Sequence, residues 1–98
     1  MAVEIKWNRK ALVKFEEAIE RIESDSPVSA EKVRREILLA VDGLLQHPEK
    51  FSPDKYKTGN DGSYRAFEMY HYRVSYRYRK EEVRVIRIRH TKMNPLEY

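Results

Sequence analysis

The stretch Tyr72-Arg73-Val74-Ser75-Tyr76-Arg77-Tyr78-Arg79 decides how this chain is read. Its residues alternate with period two, so an extended strand carries Tyr72, Val74, Tyr76 and Tyr78 on one face and Arg73, Ser75, Arg77 and Arg79 on the other. The first set can pack on a hydrophobic layer. The second stands where no further layer is available to cover it. The same period runs on both sides of this stretch and predicts three strands, about 63–70, 72–79 and 83–90, with tight turns near His71 and Lys80-Glu81-Glu82. In the last strand Ile86 and Ile88 are the expected core pair, which puts Arg87 and Arg89 with the other arginines. In the strand before, Phe67 and Met69 compete with Ala66 and Tyr70 for the core, and the pattern leaves its phase open.

Upstream the period changes to 3.6. Val3-Glu4-Ile5-Lys6-Trp7 alternates as a short strand, and Asn8 offers a helix N-cap. Leu12, Phe15, Ile19 and Ile22 form one apolar stripe. Ser24-Asp25-Ser26-Pro27 breaks that helix, Ser26 or Ser29 caps the next, and Pro27 fits its first turn. Ala30, Val33, Ile37, Val41 and Leu44 repeat the stripe until Gln46-His47-Pro48 stops it. Residues 48–62 read as a loop whose turn is Asn60-Asp61-Gly62. The expected fold is therefore α+β: an N-terminal strand, an antiparallel helix hairpin, then a three-stranded antiparallel meander, with the helices on one face of the sheet and a single domain over 1–98.

Composition narrows the function. With 41% hydrophobic and 37% charged residues over 98 positions, the chain fits neither a membrane protein nor a disordered one. No apolar run approaches the ~18 residues of a spanning helix, and MAVEIKWNRK lacks a secretory h-region, so a cytoplasmic protein without membrane contact is expected. The absence of cysteine excludes disulfide scaffolds and thiolate metal sites. Residues 1–50 carry nine Lys or Arg against ten Asp or Glu, whereas 51–98 carry eleven against six. Seven arginines fall between Arg65 and Arg89, and the nearby Glu68, Glu81 and Glu82 are too few to neutralise them. That asymmetry predicts a basic face for an anionic partner, a nucleic acid or an acidic protein. Arginine suits either, because its planar fork grips phosphate or carboxylate in pairs of hydrogen bonds.

Familiar catalytic signatures are missing: there is no phosphate-cradling Gly-rich loop, no HExxH and no GxSxG. His47, His71 and His90 are scattered without ligand spacing, so no metal site is expected. His90 ends the last strand beside the basic face. In the tail, Tyr98 reads as an edge-packing anchor or as a reactive group.

Four segments together resemble the RelE/ParE superfamily, toxins of bacterial type II toxin–antitoxin systems: LLQHPEKF, GNDGSYRAFE, YRVSYRY and IRIRHTKMNPLEY. The resemblance spans nearly the whole chain in the same element order and implies two helices packed on a small antiparallel sheet, with the first strand joining at an edge to make four. It implies a cognate acidic antitoxin and one of two activities. RelE-like members cleave mRNA in the ribosomal A site with basic residues of the sheet and a C-terminal Tyr or His. ParE-like members poison DNA gyrase and lack that nuclease set.

On the nuclease side, the resemblance places Arg73 near the scissile phosphate and Arg65 beside it as transition-state clamps. It makes Tyr98 the general base on the ribose 2′-hydroxyl, with Lys92 or His90 as the acid. It also implies no cofactor, because this 2′-hydroxyl phosphate chemistry needs no metal where arginines supply the charge. Arg77, Arg79, Arg87, Arg89, Lys55 and Lys57 would then hold RNA or the antitoxin. An ordinary tyrosine has a pKa near ~10, so this role needs the surrounding arginines to lower it. Two departures stand against it: Tyr64-Arg65-Ala66 replaces a pair of lysines common in RelE-like enzymes, and HTKMN is similar to the last-strand end of ParE-like toxins. The main reading is a ribosome-dependent mRNA endoribonuclease acting on ribosome and mRNA. The alternatives are a ParE-like inhibitor of DNA gyrase and a non-enzymatic basic binding module.

Overall fold

Strand β1 (Glu4–Trp7), helices α1 (Arg9–Asp25) and α2 (Pro27–Asp42), and strands β2 (Tyr64–Met69), β3 (Tyr72–Arg79) and β4 (Glu82–His90) follow in that order. They come from a computed structural model that describes residues 2–93 and 96–98, so Asn94 and Pro95 of the C-terminal motif lie outside the described residues. The sheet order is β1-β4-β3-β2. The last three strands form the expected antiparallel meander, and β1 adds to the β4 edge in parallel register, Ile5 opposite Val83 and Trp7 opposite Val85. A parallel partner follows from topology, since the whole helix hairpin and β2–β3 separate the two strands.

Both helices form where their apolar stripes fall. Ala11, Phe15, Ala18 and Ile19 of α1 and Ala30, Val33, Ile37 and Val41 of α2 are buried, together with Leu44. Leu12 departs from the expected stripe and is 45% exposed, because the centre of the buried face runs through Ala11 and Phe15 instead. Ser26 caps α2, its hydroxyl accepting from the Ser29 amide at 3.2 Å, with Pro27 in the first turn. Asn8 holds the N-cap position of α1 without a side-chain cap. Its Oδ1 accepts instead from Arg84 Nη1 at 3.1 Å, so β4 competes successfully for the group that the helix amides would use. Helix α2 ends at Asp42, and a 3-10 turn over Gly43–Leu45 carries the chain on to Gln46.

The helices cover one sheet face only. Tyr72, Val74 and Tyr76 are buried against them as the alternation requires, and Tyr76 donates its hydroxyl to the Pro48 carbonyl at 2.8 Å. Register resolves the phase of β2: Phe67 opposes Val74 and Met69 opposes Tyr72, so those two face the core. Ile86 is a correction. The β3–β4 register shifts between Ser75, opposite Arg87, and Tyr76, opposite Val85, which leaves Ile86 as the extra residue of a β-bulge. Val83 and Val85 therefore join Ile88 in the core, and Ile86 turns to the open face. The bulge also places Arg84, Arg87 and Arg89 on that same face despite their uneven spacing.

Both hairpins turn through two residues of positive φ, Tyr70 (53°) and His71 (68°), then Lys80 (53°) and Glu81 (62°). This is the geometry that matches strand twist and favours Asn-Gly. A side chain in the left-handed region costs roughly 1–2 kcal/mol. Glu81→Gly is therefore expected to stabilise the fold by about 1 kcal/mol and raise Tm by about 4–8 °C in a thermal melt. A lower Tm would show that the Glu81 side chain contributes a contact larger than its backbone strain.

Candidate functional site

The open sheet face is lined by arginines, and its best-formed feature centres on an aspartate. Asp54 lies within the 48–62 loop, which folds back along the β2 edge. Pro53 bridges to Arg65, the Asp54 amide donates to the Tyr64 carbonyl at 2.7 Å, and Ala66 donates to Ser52. Asn60 fixes this return: its Nδ2 donates to the Tyr64 carbonyl at 2.8 Å and its Oδ1 accepts from the Gly62 amide at 2.8 Å. Gly62, at φ 95°, provides the backbone conformation the turn needs.

So placed, Asp54 is 2% exposed and accepts three hydrogen bonds: Tyr98 Oη at 2.6 Å, Arg73 Nη2 at 2.9 Å and the Tyr56 amide at 3.1 Å. Burial pushes its carboxyl up, but the Tyr98, Tyr56 and Arg73 bonds outweigh that and hold it below the usual carboxylate value. Arg73 donates its other terminal nitrogen to Glu68, its cross-strand neighbour, at 2.8 Å. Tyr98 is held by its backbone, donating to the Tyr56 carbonyl at 3.0 Å and accepting from Thr58 at 2.9 Å. Lys57 Nζ donates to the Tyr98 carbonyl at 2.8 Å, and the Arg87 guanidinium lies 4.0 Å from the centre of its ring. Burial and the bond to Asp54 together raise the Tyr98 phenol to about 12. The lowering expected from the arginines is thus reversed, because the phenol is buried and its direct partner is an anion.

The other expected residues divide between two faces. Arg87, Arg89 and His90 line a small cavity of about 60 Å³ with Arg73, Ser75 and Tyr56. Arg65 is not brought to this site. It opposes Tyr76 on the helix-side face and donates to the Glu49 and Phe51 carbonyls at 3.2 and 2.6 Å, since β2 alternates with β3 in strict register. His90 packs edge-on to Tyr72, with ring centres 5.0 Å apart, and its Nδ1 accepts from the Lys92 amide. Lys92 is exposed in the turn after β4 and makes no side-chain hydrogen bond or ion pair among the described residues. Lys55 lies over the Tyr56 ring, Arg77 over Tyr64, and Arg79 is exposed beyond them.

The arginines are neutralised by loop carboxylates as well as by the neighbouring Glu68 and Glu82, which pair with Arg73 and Arg84. Glu49 pairs with Arg65, Asp54 with Arg73 and, at 3.7 Å, Asp61 with Arg77. Counting charges along the strands alone missed these loop carboxylates. The available signal was the Pro53-Asp54 turn, in which an Asp accepts from the amide two residues on. Among the described residues no group of three or more His, Asp or Glu is placed to hold a metal ion.

Removing the Asp54 carboxylate leaves Arg73 and Tyr98 without their shared partner. Asp54→Ala is expected to cost about 3–5 kcal/mol in chemical denaturation. With its folded pKa depressed below 3.8, the stabilisation by Asp54 is complete above that pH and fades as pH falls through the folded value. The stability gap between wild type and Asp54→Asn should therefore close in acid; a gap unchanged with pH would contradict this assignment.

No described helix is long and apolar enough to cross a membrane. Compared with known proteins, the sequence matches over residues 5–95 the family described as ParE toxin of type II toxin-antitoxin system, parDE. No curated protein matches it. Among solved structures, a chain titled "Chromosomal ParDE TA system from P. aeruginosa" superposes with a TM-score of 0.70 at 19% identity, covering 92% of this chain and 97% of that one. At that identity the likeness carries the fold alone. With nearly the whole sequence inside the family match, the chain belongs to the ParE toxin family of type II toxin–antitoxin systems.

Proposed function

We propose that this toxin acts by inhibiting DNA gyrase, is silenced by an acidic antitoxin, and does not cleave mRNA. The observation that carries the reading is the state of Tyr98. Cleavage through the ribose 2′-hydroxyl needs a proton acceptor within reach of the phosphate, and its transition state needs free cationic donors. The Tyr98 phenol is a hydrogen-bond donor to Asp54, and a pKa of about 12 leaves roughly one phenolate in 10⁵ at pH 7. Both terminal nitrogens of Arg73 are already given to carboxylates, and Arg65 lies on the opposite sheet face. Asp54 is no substitute base, because it is buried, of low pKa and saturated with donors. The site is organised as a structural clamp.

Family membership supports the same reading, since the nuclease set is what ParE-like toxins lack. The test uses the purified chain in two assays: supercoiling of relaxed plasmid by gyrase, and primer extension of mRNA in a translating extract. Inhibited supercoiling with intact mRNA is expected, and Tyr98→Phe should leave inhibition unchanged. Ribosome-dependent mRNA cutting that Tyr98→Phe abolishes, with supercoiling untouched, would overturn the proposal.

A further inference from the structure

At the other end of the open face lies a second, larger recess of about 410 Å³, lined by four cations, Arg77, Arg79, Lys80 and Arg84, one acid, Glu82, and Tyr64 and Ile86. It differs from the Asp54 centre in its charge balance. Arg84 is committed to Glu82, with Nε to Oε2 at 3.0 Å, and to Asn8. Arg77 donates to the Ser63 hydroxyl at 2.9 Å, and its nearest acid, Asp61, is 3.7 Å away. Arg79 and Lys80 have no carboxylate partner among the described residues. The recess therefore ends in two cations that make no ion pair, at a tight turn where the facing Glu82 is held by Arg84, backed by two more that are held in place. We propose that it binds the phosphate backbone of duplex DNA.

Three observations select that occupant. First, the strands that line the recess are paired or covered beside it, and the outer edge of β1, where a peptide strand could add, contributes no residue to the lining. β3 and β4 are interior strands, and the loop covers β2 through the Asp54–Tyr64 and Ala66–Ser52 bonds. Second, Ile86 is the one aliphatic side chain in the lining, so a peptide would find little of the apolar anchoring that dominates protein interfaces. A phosphate backbone needs only positioned cations. Third, no ring is free to stack on unpaired bases. Tyr64 is occupied by Arg77 at 4.5 Å and Lys57 at 4.7 Å, with Tyr98 packed edge-on at 6.3 Å. Single-strand binders rely on such rings, whereas a duplex offers one charge per ~1.7 Å of axis and needs none. Same-face cations two residues apart on β3 stand about 7 Å from each other, a spacing that lets Arg77 and Arg79 meet successive phosphates of one strand. This inference goes beyond the gyrase reading and holds whichever target the toxin inhibits.

The test is fluorescence anisotropy of the full chain against a short labelled duplex. About three phosphate contacts predict a salt slope near −2.7, or an affinity loss of about 40-fold between ~50 and ~200 mM salt. Arg79→Glu with Lys80→Glu should weaken binding by roughly tenfold or more and flatten the slope. Lys32→Glu with Arg35→Glu, the same charge change on exposed positions of α2, should leave binding unchanged. Equal losses in both double variants, no binding at ~50 mM salt, or tighter binding of single-stranded RNA or poly-glutamate than of the duplex would each overturn the proposal.

Discussion

The carboxylate of Asp54 joins three segments that are remote in sequence: the loop that carries it, β3 through Arg73, and the C-terminal residues through Tyr98. An ionised carboxylate this deeply buried persists only when donors replace the water it has lost. Here a phenol, a guanidinium and a backbone amide do so. The clamp also determines what the open face can do. It ties the tyrosine and arginine expected of a nuclease centre to one buried carboxylate, and it leaves the cavity beside them walled by arginines.

The β-bulge at Ile86 is the second determinant. Without it, the alternation of β4 would bury Ile86 with Ile88 and keep a single unbroken phase. With it, the strand changes phase once, Val83 and Val85 fill the core, and Ile86 lines the recess together with Arg77. The arginines of one sheet face thus form two clusters of different character. Around Arg73 they are matched by Asp54 and Glu68, whereas Arg79 and Lys80 make no ion pair among the described residues, the facing Glu82 being held by Arg84.

Much of the fold was legible because it rests on periodicity. The β3 alternation, the Phe15–Ile19 and Val33–Ile37–Val41 stripes and the Ser26-Pro27 helix start each follow from local rules that the tertiary structure left intact. What periodicity could not convey depends on contacts between distant segments. The phase of β2 was settled by its register with β3, and the bulge by one extra residue in an otherwise regular strand. The site was legible in its residue types but not in its wiring. Arg73 and Tyr98 do converge, yet the group that joins them sits in a loop with no period. Arg65 looked equivalent to Arg73 by composition, and its parity in β2 sends it to the other face.

A family defined by toxin activity and a face crowded with arginine both invite a catalytic reading, and the protonation state of one residue argues against it. The most direct measurement is the titration of Tyr98 by NMR of ring-labelled tyrosine, assigned by its loss in Tyr98→Phe. The clamp predicts a midpoint near 12, with stability lost as pH rises from about 10 through that value and with a lower midpoint in Asp54→Asn. A midpoint below the ordinary tyrosine value of ~10 would contradict the account and restore Tyr98 as a base.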